Sequence, residues 1–141
     1  MDKITFHHTL PVQIRFNDVD KFGHVNNTIY FQFYDTAKTD YIAHVCPGVN
    51  WEKVAIMVVH IETDFISQII GECNVGVRTA ISRIGNKSFD LIQEVYDMDT
   101  DEVKCTCLSV MVAFDLVKHE SMLLPKAWID AINDFEGKTF K

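Results

Sequence analysis

Between residues 15 and 30 the chain reads Arg15-Phe16-Asn17-Asp18-Val19-Asp20-Lys21-Phe22-Gly23-His24-Val25-Asn26-Asn27-Thr28-Ile29-Tyr30. Two carboxylates, Asp18 and Asp20, lead through a glycine turn into the start of an apolar, helix-patterned segment. A helix start offers unpaired backbone N–H groups and the positive end of the macrodipole, which polarise a carbonyl and stabilise an oxyanion. A carboxylate beside it serves as nucleophile or as general base for water. Together they make an acyl-transfer site that needs neither a metal nor a cofactor. On these residues alone a plainer reading stays open, in which Asp20 is a turn residue and Asn26 or Asn27 caps the helix. Asp18 lies two residues from Asp20, about 7 Å in an extended segment, so it either shares the site or braces the turn. His24 is a proton carrier by residue type, with a hydrogen-bonding role at the helix entry as the alternative. Tyr30, Phe31, Phe33 and Tyr34 follow at helical spacing, as the lining of an acyl pocket or as plain core.

The elements that must hold these residues show in the hydrophobic period. Val12, Ile14 and Phe16 alternate with Gln13 and Arg15, which predicts a first strand ending near residue 16. From Asn27 to Val45 the apolar residues recur at helical spacing and leave only Gln32, Asp35, Thr36 and Thr39 as a narrow polar face. That pattern predicts a central helix buried on most of its circumference. After Pro47-Gly48 the period becomes two. Cys73 to Ile81 is the clearest alternating strand, and residues 54 to 66, 87 to 97 and 103 to 117 supply three more. The last is apolar on both parities, as a central strand covered on both faces would be. Ile84-Gly85-Asn86-Lys87 and residues 97 to 101 read as hairpin turns. A short helix after Pro125 runs through Trp128 and Ile132. One long helix followed by a run of strands predicts an α+β fold, an antiparallel sheet wrapped around the helix, as a single domain over 1–141.

Composition narrows the function. The 141 residues are 48% hydrophobic and carry 20 acidic against 13 basic side chains, a formal charge of −7. That is enough chain for one core without staples and too little for two domains. The acidic balance excludes a general nucleic-acid binder, which needs a basic footprint. Cys46, Cys73, Cys105 and Cys107 form no C-x-x-C pair, and the C-x-C at 105 and 107 puts both thiols on one strand face, so they read as reduced core residues. Met1 to Phe16 has no secretory pattern, and the longest apolar run, Val54 to Val59, is far too short to span a bilayer. A cytoplasmic protein with no membrane partner is expected. His60, Glu62 and Asp64 share one strand parity, a possible His–carboxylate pair that also fits a solvated strand face. No histidine partner stands at a spacing typical of a zinc site.

The run from Arg15 to Tyr30 resembles the hotdog-fold acyl-CoA thioesterases of the 4-hydroxybenzoyl-CoA thioesterase type, whose pattern is R-x-x-D-x-D-x-x-G-H-V-N-N-x-x-Y. Every specified position is matched. Gly71-Glu72 stands where that family has Gly-Asp, and Gly85 to Phe89 resembles its G-x-x-S-F turn, so the likeness runs from about residue 12 to 134. It implies a hotdog fold and a homodimer, often assembled further into a homotetramer, with active sites at the subunit interface. It also implies hydrolysis of an acyl-CoA or acyl carrier protein thioester to acid and thiol, without a cofactor or metal. Position by position, Asp20 matches the catalytic carboxylate and Asn27 the helix-start position whose backbone N–H binds the thioester oxygen. Gly23 matches the glycine that permits close approach, and His24, Asn26 and Tyr30 fall on the substrate side of the motif.

An anionic ligand needs a local basic patch, and Arg78, Arg83 and Lys87 are the one condensed basic region, near the turn that in the resembled family contacts the nucleotide end. Lys87 matches a basic position there; Gly85 and Asn86 stand where the best-known type has arginines, and Gln68 lies in a loop where the family usually has a proline. Two rival functions remain. One is a non-catalytic acyl-thioester binding module, against which the intact Asp20 and G-H-V-N-N run speak. The other is a hotdog enoyl-thioester hydratase or dehydratase, whose D-x-N-P-x-H pattern this chain lacks.

Overall fold

The computed structural model describes residues 4–70 and 72–140. Six strands and two helices follow one another as β1 (His8–Pro11), α1 (Asn27–Val45), β2 (Val54–Phe65), β3 (Val75–Ile84), β4 (Ser88–Asp97), β5 (Val103–Asp115), β6 (Glu120–Ser121) and α2 (Lys126–Glu136). The strands form one antiparallel sheet in the order β1-β3-β4-β5-β2, with β6 paired to the end of β5. One face carries α1, so the α+β expectation holds. Alternation decides which side chains reach the helix: Phe89, Leu91, Gln93 and Val95 of β4 and Cys105, Cys107, Ser109, Met111 and Ala113 of β5 are all buried. Cys105 and Cys107 share that face as expected. The described cysteines are free thiols, with Cys46, Cys105 and Cys107 buried and Cys73 half-buried.

The helix bounds and the two hairpin turns stand as the sequence predicts; the short β6 was not expected, and three further features differ. β1 ends at Pro11, well before residue 16, because the chain peels away from β3 after the Val12 N–H bonds Val75 O at 3.0 Å. Val12 and Ile14 keep their alternation by packing onto the core from irregular chain, whereas Phe16 is 96% exposed. The burial of α1 is one-sided: Ile29, Tyr30, Phe33, Tyr34, Ala37, Lys38, Tyr41 and Ile42 are covered while Phe31 and Ala43 are exposed. β5 is sealed only on its helix side; Val110, Val112 and Phe114 on the other face stay half-buried.

The core falls into two clusters along α1. Around its C-terminal half, Tyr41, Ile42, Ile81, Phe89, Leu91 and Met111 pack with Trp128 and Ile132 of α2. Around its N-terminal half, Val25, Ile29, Tyr30, Phe33 and Ala37 pack on Ile69, Val75, Val77 and Val95. Burying each such aliphatic or aromatic side chain contributes roughly 1.5–3 kcal/mol against its exposed reference. Among the described residues no helix is long and apolar enough to cross a membrane.

Candidate active site

The segment before α1 folds into a small, heavily bonded hairpin. Residues 16–18 make one turn of 3₁₀-helix, and Asp18, 1% exposed, closes it by accepting from the Arg15 N–H at 2.8 Å and from Arg15 Nη2 at 3.1 Å. Arg15 Nη2 also reaches Gln32 Oε1 of α1 at 3.0 Å, which ties the hairpin to the helix. The Asn26 N–H then bonds Asp18 O at 2.8 Å, the Asp20 N–H bonds His24 O at 2.9 Å, and Val19 bridges Val25. Val25, 1% exposed, anchors the returning arm in the core, and its N–H bonds Ile69 O at 3.2 Å. Asp18 is thus the brace of the hairpin rather than a second acid of the site.

Asp20 stands opposite His24 in this hairpin, half-buried. Its Oδ1 accepts from the N–H groups of Phe22 at 2.9 Å and His24 at 3.4 Å, a side-chain-closed turn. Among the described residues nothing donates to Oδ2, so one carboxylate oxygen is fixed in place and the other is without a hydrogen-bond donor there. Gly23 sits at φ +81° with nothing within 4 Å of where a Cβ would be, so the position demands glycine for its backbone angle rather than for room. The ring of His24 makes no hydrogen bond to a described residue; its backbone does the work, closing on Asp20 and bridging Ile70.

Asn26 is the N-cap of α1, and its Oδ1 accepts from Thr28 N–H at 3.0 Å and Thr28 Oγ1 at 2.8 Å. That spends the Asn26 side chain on the helix. Asn27, the first helical residue, keeps an N–H with no acceptor among the described residues, and it borders a hollow of about 60 Å³ shared with Tyr30, Phe65, Ile66, Ser67 and Gln68. Tyr30 is 3% exposed and meets Phe65 edge-on at 5.4 Å between ring centres, so it is core and hollow wall at once. Of residues 65–68 on this hollow, Gln68 was singled out from the sequence, whereas Phe65, Ile66 and Ser67 were not. The signal for them was the apolar run Phe65-Ile66 and Ile69-Ile70, where alternation stops at the end of β2.

The basic residues are not gathered. Arg78 lies opposite Glu94 and Arg83 opposite Asp90 in the β3–β4 register, some 16 Å apart along the strand. Arg78 is neutralised by Glu94 at 2.8 Å and Asp101 at 3.0 Å and lies over the Tyr96 ring. Arg83 pairs with Asp90 at 2.9 Å and reaches Ser88 Oγ at 3.2 Å, beside the turn that carries Lys87. Among the described residues, Lys87 Nζ reaches only Ser121 Oγ, at 3.4 Å. His60 and Glu62 do meet, at 3.2 Å, both more than half exposed on the face of β2 turned away from α1. Among the described residues no three His, Cys, Asp or Glu side chains cluster as a metal site requires.

The sequence profile of the thioesterase-like superfamily matches residues 14–132. The chain belongs to this superfamily. Its structure is similar to that of a thioesterase from Thermus thermophilus complexed with coenzyme A and Zn, at 25% identity and TM-score 0.83 over 96% of this chain and 98% of that one. It is also similar to a 1,4-dihydroxy-2-naphthoyl-CoA thioesterase from Synechocystis, at 19% identity and TM-score 0.77 over 89% and 95% of the two chains. A thioesterase-superfamily protein from a Jannaschia species shares 17% identity and TM-score 0.82 over 94% and 85%. No curated protein matches the chain in sequence. The fold is the hotdog, and the protein is a thioester hydrolase.

Proposed function

We propose that this superfamily member hydrolyses acyl-CoA thioesters, with Asp20 as the catalytic carboxylate and the Asn27 N–H as the group that polarises the thioester carbonyl. The observation that carries this is the pairing, in one hairpin, of a carboxylate with one unoccupied oxygen and a helix start with one unoccupied N–H. The carbonyl oxygen takes the Asn27 N–H, where the helix dipole stabilises the negative charge that develops on it. Asp20 Oδ2 acts on the carbonyl carbon, forming an anhydride that water opens, or takes the proton of the attacking water. In both routes the C–S bond breaks, and the products are a carboxylic acid and the thiol. Coenzyme A as the thiol is supported by the Thermus relative, solved with that molecule, and by the Synechocystis relative, which acts on a CoA thioester. Lys87 is the base for the phosphates, since its Nζ meets no carboxylate among the described residues, whereas Arg83 is paired with Asp90 and Arg78 with Glu94 and Asp101. Replacing Asp20 by Asn should lower kcat by roughly 10²–10⁴-fold with an unchanged melting temperature, read as thiol release from a panel of acyl-CoAs. Tight acyl-CoA binding with no thiol release by the unaltered protein would instead favour the binding-module reading.

The assembly we propose is a homodimer built on the free edge of β2. That strand is twelve residues long, and Met57, Val58, Val59, Ile61 and Phe65 are exposed on it, a length of apolar edge that monomers normally avoid. Light scattering should report a particle of twice the chain mass or a multiple of it. A monomer at micromolar concentration would remove this part of the proposal.

A further inference from the structure

On the side of α1 that faces β2, Tyr30 and Lys38 each reach that strand. Near the helix start Tyr30 meets Phe65. Farther on, Lys38 Nζ turns to Asp35 Oδ1 at 2.8 Å and to Ile56 O at 3.5 Å. Between these contacts lies a cavity of about 320 Å³ walled by Phe31 and Tyr34 of α1, Val58 and Ile61 of β2, and Ser109 and Met111 of β5. Its volume sits at the low end of the roughly 300–1,000 Å³ of small-molecule sites. Its wall is almost wholly carbon. Ser109 Oγ is buried without a partner, and Gln93, 1% exposed, spends its amide N–H groups on Tyr34 O at 2.9 Å and Thr79 Oγ1 at 3.2 Å.

The cavity and the candidate carbonyl site lie along one face of α1, with the Tyr30–Phe65 contact between them. Asn27, Tyr30, Tyr34 and Lys38 recur every three or four residues and so stand on one face of α1. At 1.5 Å per residue, Tyr34 is about 10 Å and Lys38 about 16 Å beyond Asn27 along the axis. We propose that this cavity takes the hydrocarbon tail of the acyl group, and that the preferred substrates are medium-length acyl thioesters with no polar group at the far end. The inference rests on the thioesterase reading above, with the carbonyl at Asn27. A shorter acyl group leaves the carbon wall unfilled, and a longer one meets Lys38. An acyl group ending in a hydroxyl or carboxylate buries that group against carbon, with Lys38 already paired to Asp35.

The test is a thiol-release series on the whole protein with acetyl-, butyryl-, octanoyl-, palmitoyl-, benzoyl-, 4-hydroxybenzoyl- and adipyl-CoA. Octanoyl-CoA should give the highest kcat/KM of the aliphatic series, and benzoyl- should exceed 4-hydroxybenzoyl-CoA. Ser109→Leu fills the cavity and should cut octanoyl-CoA turnover about tenfold or more, the scale on which hydrophobic pockets discriminate, and butyryl-CoA turnover by a clearly smaller factor. Phe31→Ala, on an exposed position that tolerates truncation, should move the optimum towards longer chains. Binding of octanoate to the Asp20→Asn protein, by calorimetry, separates the two readings. Octanoate binding that Ser109→Leu abolishes upholds the tail site even if no thioester is cleaved. An active enzyme whose chain-length profile is unmoved by both variants overturns the tail site and leaves the thioesterase intact. Faster cleavage of adipyl- than of octanoyl-CoA, or Ser109→Leu dissociating a dimer with an unchanged profile, also overturns it.

Discussion

The C-terminal half of α1 is closed on several sides at once. α2 packs Trp128 and Ile132 against it, and the Trp128 indole N–H donates to Pro47 O at 3.3 Å. Glu136, at the end of α2 and 5% exposed, accepts from Tyr41 Oη at 2.5 Å and from the Ile81 N–H at 3.3 Å, so one carboxylate joins both helices to β3. The N-terminal half is covered by the sheet on one side and by the Asp18–Asn26 hairpin at its tip, with Phe16, Phe22, Phe65, Ile66 and Ile70 exposed around it. The same helix therefore serves as a fixed post at one end and as a site wall at the other. The proposed binding residues lie where packing is incomplete, as expected if a wall meant for a ligand or a second subunit cannot already be satisfied within one chain.

That contrast is sharpest if the two halves can be damaged separately. Asp20→Asn, in the open half, should remove two to four orders of magnitude of kcat while leaving denaturant midpoints where they were. Trp128→Ala, in the closed half, should cost about 3–5 kcal/mol of stability, measured by urea unfolding, while kcat per folded molecule stays near its starting value. An activity loss in the second variant as large as in the first would show that the halves are one unit. Glu136→Ala is the smaller version of the same cut. It strands the Tyr41 hydroxyl and the Ile81 N–H in the core, each worth about 1–3 kcal/mol, and should loosen α2 in hydrogen exchange before the hairpin at residues 18–26 responds.

How much of this was legible in the sequence follows the same division. The bounds of α1 and, to within a few residues, of β2 to β5 were readable because hydrophobic period reports which side of an element is covered, whereas β1 was placed on Val12 to Phe16 and β6 was not read. Hydrophobic period does not report what an element bonds to, which is why Val12 and Ile14 looked like strand beyond Pro11. The motif from Arg15 to Tyr30 put Asp20, Gly23 and Asn27 in one place, but the separate tasks of Asp18 and Asn26 needed coordinates, since a brace and an acid are the same residue type. Arg78, Arg83 and Lys87 looked like a patch because they are near in sequence. Extended chain spreads them out, and the cross-strand partners Glu94, Asp90 and Asp101 come from a pairing that local sequence does not display. Buried Lys38 and Glu136 were invisible for the same reason: only their partners explain them.

The smallest expected effect lies in the thiols, which sample both halves. Cys46 borders the closed half and Cys107 the open half, and burial pushes each thiol up to about 12 from an ordinary value near 9. A raised value means the folded protein keeps a proton that the unfolded chain releases above about pH 9. Stability from these groups is therefore complete below pH 9 and is lost as pH rises towards 12. Tyr34 and Tyr41 are shifted the same way, Tyr34 mainly by burial and Tyr41 by burial together with the Glu136 carboxylate, so part of the alkaline slope survives without the thiols. Comparing urea midpoints at pH 7.0 and 10.5 (roughly the middle of that window) should show a shallower fall in Cys46→Ala and Cys107→Ala than in the unaltered chain. Labelling at pH 8 adds the direction of the asymmetry. If the open half opens first, a thiol reagent reaches Cys107 ahead of Cys46; the reverse order would place the weaker packing at the α2 end and invert the contrast between the two halves of α1.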